Sequence, residues 1–536
     1  MDFGAIPNDA GDDTASVRAA LAAAERNGGG IVLFPRGRFR LTDMLDVPRR
    51  ALLQGEGREL TTLFWDDRND PPPALIRGAN SFGVQDLTLN SGFFQNGIQA
   101  DDGDQPEAGH VFIRRVRMRL VKFPYVGPPH SDDEEFVRRW KVSGWGITVG
   151  GDNVQVTECD VQANAGPIQM LGCRHSRIAQ NNFEAFKDGW SSIGGCERLL
   201  FEDNTFRGGT CGIAPGRLNA HYIYYARNVF DQTYSHDREG MTFDGGGHTY
   251  IGKIAQAEGA RLVTAQPVTW RWGSWVGGYV YLMHGAGAGQ VRRIVRHDGN
   301  EVQLDQPWAI PPDANTEVHI AKFKGRCLFV GNEFRDCTIA IQLYGCSVDV
   351  ILAGNLSRRS GGFNSYGMFK GSGPEPSWHV QYFDNQIVEG SGLRGPMNNY
   401  PPTDSYLSVL SRDRRNPYPL TRWTVVRRNR LHNNARLSLG PGNMEDVLVE
   451  GNVVENADVG LEVHAEIPGA LARGNRFSQV RQTLAGKTAS LWMHPAERLL
   501  THLASTEVAT AERHAPAAWK AGRERLAQLA ENPPDD

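Results

Sequence analysis

The stretch Tyr234-Ser-His236-Asp237-Arg238-Glu239-Gly-Met-Thr-Phe-Asp244-Gly-Gly-Gly-His248 gathers three carboxylates, two histidines and an arginine. Such a set can do two kinds of chemistry. One carboxylic acid can protonate a glycosidic oxygen while a second carboxylate activates water or attacks directly. Alternatively, Asp237, Glu239 and Asp244 can hold a hard cation through oxygen ligands while His236, Tyr234, Arg238 or Lys187 removes a proton. A second cluster, Lys187-Asp188-Gly-Trp190, and a third, Gln342 and Tyr344 with Lys370, carry further candidates. Taken singly, each cluster reads equally well as a solvated turn, and Asp188 as a turn residue beside Gly189. What separates the readings is whether one scaffold brings the clusters together.

That scaffold is written in a repeat. Asn181, Asn204, Asn228, Asn332, Asn355, Asn385, Asn429, Asn452 and Asn475 each follow a short alternating apolar run, and most have Phe or another apolar residue two positions on. Five of the eight spacings fall between 22 and 24 residues, a period typical of solenoids. A strand, an Asn turn and more strand per repeat predict one coil of a parallel β-helix. Coils stack roughly 4.8 Å apart, so the Asn side chains can form a hydrogen-bonded column. Side chains alternate in and out along each strand. Ile147/Val149, Ile168/Met170, Met241/Phe243 and Ile341/Leu343 are then core, and Thr148, Gln169, Ser192, Thr242/Asp244 and Gln342/Tyr344 form one outward polar face.

The chain opens with Asp2-Phe-Gly-Ala, then Asp12-Asp-Thr-Ala-Ser-Val-Arg-Ala-Ala-Leu, then Gly28-Gly-Gly-Ile-Val-Leu-Phe-Pro-Arg-Gly-Arg-Phe-Arg-Leu. Thr14 is the expected N-cap of a helix with Val17, Leu21 and Ala24 as its apolar stripe, ended by the glycines. A solenoid needs its first coil covered. This segment resembles the opening of the pectate-lyase-like superfamily, the right-handed β-helix group of polysaccharide lyases, polygalacturonase-type glycosidases and phage tailspikes. The resemblance implies a right-handed parallel β-helix and a carbohydrate ligand. It does not choose a reaction, because the group spans hydrolases, lyases, epimerases and adhesins. The polygalacturonase pattern of Asn-x-Asp, Asp-Asp, Gly-His-Gly and Arg-x-Lys is not found here, so no catalytic residue carries over from it.

The breaks in the period give the organisation. Residues 1–247 are expected to form the cap and the first part of the β-helix. Residues 248–322, rich in Val, Trp and Gly, form an inserted small β module. Residues 323–490 form the second part of the helix, and 491–536 a helical tail. Gly285-Ala-Gly-Ala-Gly-Gln reads as a hairpin turn, since no strand–helix context of a phosphate loop surrounds it. Loops at 121–144, 356–366 and 390–405 enter the polar face from one corner and the module leaves at the other, which walls a groove suited to an extended polymer.

Bulk properties exclude other classes. A net charge of −4 without a long basic run argues against nucleic acid. No run of 18 apolar residues exists to span a membrane. Seven cysteines without a CxxC argue against zinc or a dense disulfide framework. Cys173, Cys196 and Cys346 repeat after Gly and read as stacked thiols, with a disulfide as the other reading. No leader is visible, which fits a secreted or periplasmic enzyme in mature form, with a cytoplasmic location as the alternative. Oligomeric state is not legible.

The residues therefore point to a carbohydrate-active enzyme acting on a polysaccharide or oligosaccharide. Asp244, Glu239, Asp188, Asp237 and His236 are the catalytic candidates. Arg238, Lys187, Trp190, Gln169, Thr242, Gln342 and Tyr344 are the substrate-binding candidates, with Trp140, Trp145 and Arg217 as further sugar contacts. The carboxylate count favours a glycoside hydrolase with no cofactor and no metal. A polysaccharide lyase acting by β-elimination on a uronate polymer, with Ca²⁺ as its cation, is the alternative. A non-catalytic glycan-binding or adhesion protein is the third reading.

Overall fold

The computed structural model describes residues 2–66, 70–100, 109–120, 144–185, 190–214, 218–233, 239–370, 373–390, 405–412 and 416–501. Its main body is a right-handed parallel β-helix, as the resemblance implies. Each coil feeds three parallel ladders, so every strand pairs with the coil before and the coil after. The first ladder includes Glu197–Glu202, the second Thr205–Gly208 and the third Thr210–Ala214. The alternation works as expected on the third: Ile147, Val149, Met170, Met241, Phe243, Ile341 and Leu343 are buried in the core.

The Asn column sits at the corner between the first and second ladders. The residue before each Asn takes a left-handed backbone, as at Asp203 (φ 56°) and Arg227 (φ 52°), or is a glycine such as Gly331 (φ 63°). This turns the chain sharply and points the following Asn inward. Asn204 donates its backbone N–H (3.1 Å) and one amide N–H (3.0 Å) to Asn228 Oδ1, and its other amide N–H to Ile178 O (3.0 Å). The same pattern runs from Asn181 to Asn475. It is unbroken where the chain makes its longest excursion: Asn228 donates to Asn332 Oδ1 at 3.0 Å across 104 residues. The Phe two positions on also stack, with ring centroids 5.0, 4.9 and 5.0 Å apart along Phe183, Phe206, Phe230 and Phe334.

The excursion is a closed six-stranded antiparallel barrel running from His248 to Ala321. It has its own core of Leu262, Val280, Ile294, Val302 and Ile320. A second cluster, with Tyr281, Met283, Phe323, Cys346 and Trp378, fastens it to the helix. Gly285 to Gln290 turn between Tyr279–His284 and Val291–Asp298, which pair antiparallel, so this run is a hairpin turn.

Two local expectations change. Thr14 is the first helical residue of Thr14–Arg26, and Asp13 precedes it without capping. The Asp13 carboxylate instead accepts the Ile6 and Arg40 N–H groups (2.9 and 3.2 Å), tying the cap helix to its neighbours. Residues 356–366 are not a loop. Leu356–Arg358 and Gly362–Lys370 are strands, and the extra length lies in an antiparallel hairpin that pairs Met368 to Lys370 with Gly373 to Glu375. Phe363, Ser365 and Tyr366 are buried there, so the segment behaves as ladder and not as surface.

All seven cysteines are buried and free. Cys173 and Cys196 stack, and that contact, with burial, drives the Cys173 thiol well above its ordinary value. Cys346 turns instead to Lys324, at 3.0 Å from its Nζ. Among the described residues no helix is long and apolar enough to cross a membrane.

Asn332→Ala should strip acceptors from the Asn228 N–H and amide and leave the Tyr225 carbonyl without its donor. Two stranded buried donors cost about 2–4 kcal/mol. Asn475→Ala, at the partly buried end of the column, should cost less. Denaturant titration of both variants checks the order.

Candidate active site

The third ladder carries the polar face. Outward positions line up one per coil as Gln99, Thr148, Gln169, Ser192, Gly212, Thr242, Gln342, Asn364, Ser408, Ser438 and Glu462. The predicted residues Thr148, Gln169, Ser192, Thr242 and Gln342 therefore share one column. Thr148, Thr242 and Gln342 are buried beneath neighbouring side chains, while Gln169 and Ser192 are half-exposed.

Charge concentrates around Thr242 and Gln342. Glu239 opens the strand Glu239–Phe243 and is buried, where its carboxylate accepts from Gln342 Nε2. Asp244 follows the strand, with 44% of its side chain exposed, and forms an ion pair with Lys370 from the hairpin. The Lys370 ammonium also lies 4.4 Å from the centroid of the Tyr344 ring. Tyr344 pairs in register with Tyr366 on the next coil, their rings edge to face at 5.6 Å. The Arg412 guanidinium caps both, 4.6 Å from Tyr366 and 5.9 Å from Tyr344. Burial pushes the Tyr366 phenol up from its ordinary value; Arg412 opposes this and Glu239 adds to it. Burial draws the Lys370 ammonium down, but Asp244 and Glu375 outweigh it and its pKa ends raised.

A second layer lies behind. The amine of Lys324 is buried and donates to Gly245 O and toward Cys346 Sγ. Glu375, also buried, fills the space against Gly246 and Gly345: a Cβ on those glycines would fall 2.0 and 2.5 Å from its carboxylate oxygens. Burial raises its pKa to about 7, against the pull of Lys324 and Lys370 and with a push from Asp244. A side chain at either glycine would force the Glu375 carboxylate aside, and Gly345 also takes a left-handed backbone (φ 72°).

Toward the C-terminal coils the face continues into a cleft of about 400 Å³, bordered by Tyr366, Tyr406, Ser408, Arg436, Glu462 and His464. A larger hollow, about 670 Å³, opens on the first ladder beside Phe112, Arg114, Gln155 and Arg177. There the arginines pair with Glu158 and Glu202, and no lysine–tyrosine set converges, so the polar face is the better site.

Of the sequence candidates, Glu239, Asp244, Gln342, Tyr344 and Lys370 come together. Lys187, Asp188, His236, Asp237 and Arg238 lie outside the described residues, as do Tyr234, Arg217 and Trp140. Trp190 belongs to the strand Trp190–Gly194, paired with Thr210, and its side chain is not described. Trp145 is half-exposed on the strand one coil before Gly166. The sequence reading missed Tyr366, Arg412, Lys324 and Glu375. The first was within reach, since Tyr366 stands 22 residues after Tyr344, one repeat on. Glu375, in Gly-Pro-Glu-Pro, reads as loop.

No family model matches the chain. Mannuronan C5-epimerase AlgE4 of Azotobacter vinelandii is 31% identical over 153 residues, which cover 24% of this chain and 27% of that protein. Alginate lyase 7 of the same organism is 29% identical over 156 residues, covering 24% of this chain and 17% of the relative. The chain thus matches less than a third of the length of either relative. The AlgE6 A-module of a mannuronan C-5 epimerase, also from Azotobacter vinelandii, superposes with a TM-score of 0.48 at 15% identity, over 89% of this chain and 98% of that one.

Glu375 yields a stability prediction with a definite sign. Its folded pKa of about 7 lies above the ordinary 4.5, so the folded protein holds the proton longer than the unfolded chain. Its contribution to stability is full below about pH 4.5 and is lost as pH rises toward 7. Glu375→Gln should remove this slope, worth on the order of 2 kcal/mol. Melting temperatures of both proteins across this range should diverge with rising pH in favour of the variant.

Proposed function

We propose that the chain is a polysaccharide-modifying enzyme that removes the proton at C5 of a uronate unit, alpha to its carboxylate, and completes either epimerisation or β-elimination. The observation that supports it is the pairing of two cations with two tyrosines on the polar face. Lys370 lies against Tyr344, and Arg412 against Tyr366 and Tyr344. Loss of the C5 proton sends negative charge into the uronate carboxylate, and fixed cations lower that barrier most where water is scarce. Lys370 and Arg412 are the groups assigned to that carboxylate. Tyr344, half-exposed and within reach of both cations, is assigned the role of base. Tyr366 holds its proton more tightly than a free phenol and serves as donor, either to C5 from the opposite face or to the departing C4 oxygen. Asp244 fixes the Lys370 ammonium, and Glu239 with Gln342 shapes the floor. The names of the partial relatives, a mannuronan C5-epimerase and an alginate lyase, lend the same support.

Hydrolysis is the second reading, favoured by the exposed Asp244 carboxylate on the groove. It needs a partner acid, and among the described residues Glu239 is engaged with Gln342.

Incubation with polymannuronate, alginate and polygalacturonate in D₂O separates the two. Deuterium at C5, or an unsaturated absorbing product, is expected. New reducing ends without either would overturn the proposal in favour of hydrolysis. Tyr344→Phe should lower kcat by at least about 100-fold, the usual scale for losing a proton-transfer group, with KM little changed. EDTA should leave the rate unchanged. Loss of activity on chelation would move carboxylate neutralisation from Lys370 and Arg412 to a calcium ion.

A further inference from the structure

Among its described residues the inserted barrel presents one large exposed aromatic side chain, Trp272, beside its junction with the β-helix. Trp272 is 57% exposed and lies in the connection between Arg261–Thr264 and Tyr279–His284. Its backbone is left-handed (φ 66°), a costly state for a bulky residue. The turn is nevertheless rigidly held. The Arg271 N–H donates to Thr249 Oγ1 (3.1 Å), and the Trp275 indole N–H donates to Arg271 O (2.7 Å).

The ring is placed by Gly247 and Lys322. The Trp272 indole edge lies 3.4 Å from where a Gly247 Cβ would stand. Gly247 in turn accepts the Lys322 N–H at 2.7 Å. The Lys322 side chain is buried, with its ammonium 4.4 Å from the Trp272 ring centroid. A cation held at that range adds attraction to the ring and positive potential beside it. Gly247 is three residues from Asp244, a span of at most roughly 10 Å. The ring therefore stands close along the chain to the residue that pairs with Lys370.

An exposed indole held rigid, in a strained backbone and beside a groove of polar side chains, has the properties of a stacking platform. It offers a flat apolar surface at low ordering cost to a ligand with one apolar face and polar edges, which describes a pyranose ring. We propose that Trp272 is a saccharide-stacking subsite supplied to the groove by the barrel, with Lys322 favouring an anionic sugar there. The proposal rests on the polysaccharide reading, but not on the choice among epimerisation, elimination and hydrolysis.

The test is a binding measurement on the whole chain, independent of turnover. Oligosaccharides of increasing length, from a uronate series and from a neutral glucan series, are titrated by calorimetry against the wild type, Trp272→Ala and Trp272→Phe. Long uronate oligomers should lose about tenfold in affinity with Trp272→Ala, the scale of one aromatic contact, and Trp272→Phe should recover much of it. The shortest oligomers should bind all three proteins alike. Equal affinity of wild type and Trp272→Ala for long oligomers overturns the subsite while leaving the uronate reading intact. Trp272-dependent binding of the glucan series alone overturns the uronate reading and keeps the subsite. Failure of the wild type to bind either series overturns both.

Discussion

Everything in this molecule is indexed to a buried amide. Each Asn from Asn181 to Asn452 is buried and uses both amide protons and its oxygen inside the corner. A coil shifted by one residue would strand those groups and would also turn its strand inside out. The cost of misregister is therefore paid twice, once in hydrogen bonds and once in core burial. That is why a column of outward residues can run from Gln99 to Glu462 without slipping, and why Tyr344 and Tyr366 meet although neither touches the column.

The site adds an electrostatic arrangement to this geometric one. Behind the Asp244–Lys370 ion pair stand Glu375, whose pKa burial raises to about 7, and the buried Lys324. A buried ammonium such as Lys324 is tolerated because a carbonyl, a thiol and a nearby carboxyl surround it. Asp244 and Glu375 keep Lys370 charged, and the ion pair with Asp244 holds it in place. A site built to meet a carboxylate gains from such a cation more than from a flexible surface lysine, because little reorganisation is needed when charge develops.

The sequence was informative where chemistry repeats and silent where it does not. The Asn period and the in–out alternation revealed the helix, the core residues and the polar column, because each coil restates the same demand. Asp244, Gln342 and Tyr344 followed from register, and Glu239 from the density of ionisable residues around it. The hairpin carrying Lys370 and Glu375 did not, because the run Gly-Ser-Gly-Pro-Glu-Pro obeys no period. Glu375 and Lys324 matter through burial, which depends on the barrel docking against the helix, and no local pattern encodes that docking. Thr14 lost its capping role because the helix starts one residue earlier than expected and its hydroxyl donates to Asp12 and accepts the Thr42 N–H instead.

The uninterrupted step from Asn228 to Asn332 also bears on how the chain reaches its native state. Joining two coils 104 residues apart would ordinarily be slow, because a long flexible loop must close before the contact is rewarded. A barrel with closed strands and a separate core shortens that loop to the few residues between Phe243 and His248 and between Ala321 and Lys324. A formed barrel therefore lowers the entropic cost of bringing the two halves of the solenoid together across its base. On this view the insertion acts as a kinetic clasp for the coil that carries Asp244.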